Sequence, residues 1–107
     1  MPGVLHVLTG AEAKAQVQPI RASLEAPGYA GGQWWPLAVD RVRFPGEPVA
    51  VVVARDRYLA DDAASAVRVE YEPLPALADL DSALASGAPE LQAEVPGNTF
   101  LRTRGGA

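Results

Sequence analysis

Short apolar runs divide the chain into candidate strands and helices. Residues 4–8, VLHVL, are β-prone and predict a first strand. The Ala-rich AEAKAQ that follows predicts a short helix with Thr9 as its N-cap and Glu12 in its first turn. Residues 17–36 contain Pro and Gly at irregular intervals and show little periodicity, which predicts a long loop.

The strongest core signal is the uninterrupted apolar run VAVVVA at residues 49–54. This run is too short for a helix and too uniform for a half-exposed strand, so we expect it to form the buried centre of a sheet. Val51 or Val53 should then be nearly fully buried. The alternating residues 37–44 before it predict a further short strand, which ends at a Pro-Gly turn.

A helical period and then a strand period follow this apolar run. Asp56 is the predicted N-cap of an amphipathic helix over residues 58–66. Residues 67–71 alternate apolar and charged side chains until Pro73, the pattern of a strand with one wet face. Together with residues 49–54 they predict a β-α-β unit with parallel strands and a right-handed crossover.

The last third of the chain predicts one short helix and an irregular end. Asp81 or Ser82 is placed to cap a helix over residues 83–86, with a glycine at its C-terminal cap. Residues 96–107 hold two Arg, three Gly and few apolar groups, so we expect a mobile tail. The predicted organisation is therefore one domain over residues 1–95 followed by this tail.

Composition narrows the classes of function. The 107 residues carry 9 basic and 13 acidic groups, a formal net charge of −4, with no Cys and one His. This balance gives no electrostatic footprint for nucleic acid. The missing Cys excludes disulfides and thiolate ligands, and the single His excludes a His-rich zinc site. No apolar run reaches the roughly 18 residues of a membrane span and the start lacks a basic secretory signal, so we expect a cytoplasmic protein without a membrane partner.

Side chains that could carry chemistry are few. His6 lies in an apolar run without the Ser, Asp or Cys pattern of a catalytic triad. Four acidic residues could in principle hold a hard cation, but two are neighbours that diverge by about 100° on a helix. The other two alternate with apolar residues on a predicted strand, which is ordinarily its solvated face. The residues therefore predict no catalytic and no metal site; the four acids are Asp61, Asp62, Glu70 and Glu72.

Trp34 and Trp35 form the one unusual candidate surface, because they lie side by side in the Pro/Gly-rich loop. Two large aromatic side chains can anchor a protein interface or serve as a stacking platform. The alternative, which we favour, is that one Trp packs over the small core while the other is half exposed.

Five segments, taken in order, match the pattern of one family. They are PGVLHVLTG at residues 2–10, PLAVDRVRFPGEPVAVVVA at 36–54, RYLADDAA at 57–64, VRVEYEPLPA at 67–76 and PGN at 96–98. The chain resembles the amino-terminal α/β-hammerhead domain of the large, molybdenum-binding subunit in the xanthine dehydrogenase and aldehyde oxidase family. Within that family it is most similar to the aerobic carbon monoxide dehydrogenase large chain.

The resemblance implies an α+β fold with a small mixed β-sheet and two to three short helices, lacking the family's first strand. It implies a non-catalytic structural domain or fragment of an oxidoreductase that acts on carbon monoxide, xanthine or aldehydes. Molybdopterin, iron–sulfur clusters and FAD belong to other domains or subunits of the family, so no cofactor-binding or catalytic residue is carried over to this chain.

The resemblance also suggests partners. They are the remaining domains of the molybdenum subunit or another copy of the chain, paired through an exposed strand edge. The alternative function is a freestanding protein-interaction module that uses the loop of Trp34 and Trp35.

Overall fold

A computed structural model describes residues 1–105 and gives this part of the chain three α-helices and four strands. The elements are β1 Val4–Thr9, α1 Gly10–Gln16, β2 Ile20–Arg21, β3 Gln33–Trp34, β4 Ala50–Ala54, α2 Arg57–Ala66, α3 Leu80–Leu84 and a 3-10 turn at Pro96–Asn98. Short helices with small sheets confirm the predicted α+β class.

The chain separates into two compact units. Unit 1 contains Met1–Pro19 and Trp35–Glu72, and unit 2 contains Ile20–Trp34 and Pro73–Ala107. That residues 1–95 behave as one domain stays a prediction. The last two residues of the expected mobile tail lie outside the described residues.

The sheet of unit 1 consists of β1 and β4, which pair antiparallel. Val7 lies opposite Val52 and Leu8 opposite Val51, and a bulge interrupts the register near the start of β1. The amide of Arg55 continues the pairing by donating to the carbonyl oxygen of Gly3, just before β1, at 2.9 Å. Both strands come from the β-branched runs that predicted them.

Both helices of unit 1 begin where their capping residues predict. Thr9 precedes α1, and the carboxylate of Glu12 accepts hydrogen bonds from its amide and its hydroxyl, each at 2.8 Å. These two bonds from Thr9 lower the pKa of Glu12. Asp56 precedes α2, and its Oδ1 accepts from the amides of Tyr58 and Leu59 at 2.9 and 3.0 Å. The predicted N-caps are therefore confirmed.

The prediction that Val51 or Val53 is nearly fully buried is wrong, because each is 44% exposed. The sheet of unit 1 has only two strands, and α2 lies toward one of its faces. Val52 on that face lines a cavity of about 180 Å³ together with Ala63 and Ala66 of α2. The alternation along β4 therefore leaves Val51 and Val53 on the opposite side of the strand.

The predicted β-α-β unit is also wrong. β4 pairs with β1 in the antiparallel sense, and residues 67–71 enter no sheet in the described chain. An alternating pattern gives a segment the side-chain distribution of a strand, but a ladder also needs a neighbouring backbone. The predicted parallel sheet is replaced by two separate two-stranded antiparallel sheets.

The prediction of a strand over residues 37–44 is wrong, because this segment is irregular. The Glu47 carboxylate accepts a hydrogen bond from the amide of Arg43 and forms a 3.0 Å salt bridge with its guanidinium. A turn follows in which the amide of Glu47 donates to the carbonyl of Phe44, and Gly46 adopts a φ of 91° there. These local bonds occupy backbone groups that a strand would need, and the predicted Pro-Gly turn is confirmed.

Unit 2 contains the second antiparallel pair, β2 with β3, inside the segment predicted as a plain loop. Its helix α3 begins earlier than predicted, because Asp79 rather than Asp81 or Ser82 is the N-cap. The Oδ1 of Asp79 accepts from the amide of Ser82 at 2.8 Å, and the bonds from Ser82 lower the pKa of Asp79. The helix also ends earlier than predicted, because its C-cap is Ala85 and not Gly87. Gly87, with a φ of 79°, lies in the turn that follows.

Few side chains in the described residues are fully enclosed. The buried apolar side chains are Ala13, Leu37 and Ala63 in unit 1 and Val95 in unit 2. Two of these four are alanines, so the enclosed apolar volume is small.

Candidate functional site

Trp34 lies on β3 of unit 2, opposite Ile20 of β2. Its ring stacks on Phe100, with 6.0 Å between the ring centroids and 9° between the ring planes. Trp34 remains 38% exposed and Phe100 37% exposed. The stacked pair therefore presents aromatic surface to solvent, as an interface anchor would.

Phe100 is held in place through its backbone. Its carbonyl oxygen accepts a hydrogen bond from the amide of Ala30 at 2.8 Å. Gly32 lies close to the same ring, because a Cβ atom on Gly32 would come within 3.0 Å of Phe100 and within 2.0 Å of Gln92 Oε1. Gly32 thus packs closely against the side chains of Gln92 and Phe100.

Asn98 stabilises the turn that leads to Phe100. Its side-chain oxygen accepts from the amide of Leu91 at 2.9 Å, and its side-chain nitrogen donates to the carbonyls of Ala83 and Pro89 at 3.0 Å each. Asn98 also adopts a positive φ of 53°, which Asn tolerates better than most residues. Sequence reasoning missed this role; the only signal for it was a Pro-Gly-Asn turn motif.

Trp35 belongs to unit 1 and is half-buried. The Nζ of Lys14 lies 5.4 Å from the centroid of its ring, within the range of a cation–π interaction. Trp35 therefore packs within unit 1, whereas Trp34 is partly exposed in unit 2. That the two side chains form a protein interface stays a prediction.

The acidic residues and His6 form no constellation. Over residues 1–105, no group of three or more His, Cys, Asp or Glu side chains is arranged to hold a metal ion. His6 lies exposed on β1, opposite Val53. In the same part of the chain, the helices are all too short to cross a bilayer.

A second candidate feature is a set of exposed apolar side chains in unit 1. Unit 1 exposes Val51 and Val53 of β4, and it also exposes Val67, Val69 and Tyr71 after α2. Exposed apolar side chains of this size are candidates for a contact with another protein surface.

Comparison with known proteins agrees with the fold. Residues 1–75 match the family described as "Aldehyde oxidase and xanthine dehydrogenase, a/b hammerhead domain". The chain is similar to the quinoline 2-oxidoreductase of Pseudomonas putida 86, whose crystal structure superposes with a TM-score of 0.87 at 40% identity. That superposition covers 96% of this chain and 13% of the other.

Two curated relatives show the same relation. The carbon monoxide dehydrogenase large chain of Hydrogenophaga pseudoflava is 41% identical over 92% of this chain and 12% of its own length. The xanthine dehydrogenase molybdenum-binding subunit of Escherichia coli O157:H7 is 33% identical over 82% of this chain and 12% of its own. The chain thus spans about an eighth of these relatives. It belongs to the α/β-hammerhead domain family of aldehyde oxidases and xanthine dehydrogenases.

Proposed function

We propose that this chain is a non-catalytic structural domain of a molybdenum hydroxylase large subunit. The observation that carries the proposal is that far more of its large apolar side chains are exposed than buried. Only four apolar residues are buried in the described chain, whereas Val51, Val53, Tyr71 and many others remain exposed. A domain of about 100 residues ordinarily encloses most of its large apolar side chains. These exposed side chains would become buried when other domains of the same subunit cover them.

The parent activity in this proposal is oxidation or hydroxylation of a small molecule at a molybdopterin centre. The relatives include a carbon monoxide dehydrogenase large chain and a xanthine dehydrogenase molybdenum-binding subunit. Side chains of residues 1–105 offer no metal-ligating group of three or more His, Asp or Glu, so no catalytic step is assigned to them. The contribution of the chain is to pack against the domains that carry the cofactor, in the cytoplasm.

Two kinds of partner fit this role. The first is the rest of the molybdenum subunit, which would cover the exposed apolar face of β4. The second is another copy of the chain, joined by edge-strand pairing, because a two-stranded sheet leaves outer backbone edges open to a further strand.

Exchange of domains tests the proposal. The matching segment of the Hydrogenophaga pseudoflava large chain is replaced by this chain, and assembly, molybdenum content and turnover of the chimaera are measured. We expect an assembled, molybdenum-containing chimaera, and no molybdenum or turnover in the isolated chain. The matched control is the chimaera with Val51→Asp and Val53→Asp, which should assemble poorly because charges replace apolar contacts. Turnover by the isolated chain, or no loss in the control, would contradict the proposal.

An interaction module is the second candidate function. It is supported by the exposed stack of Trp34 on Phe100. In this case Trp34→Ala should weaken assembly of the chimaera while Trp35→Ala mainly lowers thermal stability, because Trp35 is half-buried. Equal assembly of the Trp34→Ala and unmodified chimaeras would remove this candidate.

A further inference from the structure

We draw no further inference here: the strongest candidate, the exposed aromatic surface formed in unit 2 by the stacked rings of Trp34 and Phe100, carries none because nothing in the structure shows what covers it.

Discussion

Gly10 lies against the backbone of Ala38 so closely that a Cβ atom on Gly10 would come within 1.8 Å of the Ala38 carbonyl oxygen. Gly10 is the first residue of α1, and Ala38 is fixed from the other side because its amide donates to Pro48 at 2.7 Å. The contact joins the start of a helix to the irregular segment around the buried Leu37.

Gly10→Ala should therefore destabilise the chain, although Ala is the better helix former. A backbone atom cannot move aside as the end of a flexible side chain does, so we expect a loss of about 1 to 3 kcal/mol in the free energy of unfolding. Urea denaturation measures this loss. The control is Gly105→Ala, where an added Cβ meets no atom within 4 Å; equal stability of the two variants would refute the expectation.

Asp56→Ala should weaken α2. The substitution leaves the amides of Tyr58 and Leu59 without their carboxylate acceptor, at a cost of about 1 kcal/mol. The matched control is Asp61→Ala, an exposed acid within the same helix. Thermal unfolding followed by circular dichroism should place Asp56→Ala clearly below the control, and the reverse order would be inconsistent with capping.

Asn98→Ala should destabilise unit 2 by about 2 kcal/mol or more. It removes the bonds to Ala83, Pro89 and Leu91 and also places Ala at a positive φ. Asn98→Gly separates the two effects, because Gly accepts that backbone geometry but makes no side-chain bonds. We expect Asn98→Gly to fall between the unmodified chain and Asn98→Ala in chemical denaturation; a harmless Asn98→Ala would exclude a stabilising role.

Acid should weaken the start of α1. Hydrogen bonds from Thr9 lower the pKa of Glu12 in the folded chain. A carboxylate with a lowered pKa stabilises the fold above its unfolded pKa, about 4.3 for Glu, and this contribution is lost as the pH falls from there through the folded pKa. The difference in stability between the unmodified chain and Glu12→Gln should therefore shrink across that range. A difference that stays constant between pH 6 and pH 2 would contradict this linkage.

Interactions between residues close together in the sequence made the helix starts and two of the strands predictable. At the start of α1 the Glu12 carboxylate accepts a hydrogen bond from the amide of Thr9, and at the start of α2 the Asp56 carboxylate accepts from backbone amides. Such bonds join residues two or three positions apart, so their partners can be identified without knowing the rest of the fold. The apolar runs that became β1 and β4 were recognisable for the same reason, because their side-chain pattern is local.

Only the tertiary structure decided which strand lies beside which and which face is covered. Val51 and Val53 stay exposed because β4 has one partner strand and α2 lies toward the face of Val52. The contact of Gly10 with Ala38 and the stack of Trp34 on Phe100 join residues 28 and 66 positions apart. Such contacts form by closure of long loops, and neither periodicity nor capping chemistry specifies where those loops close.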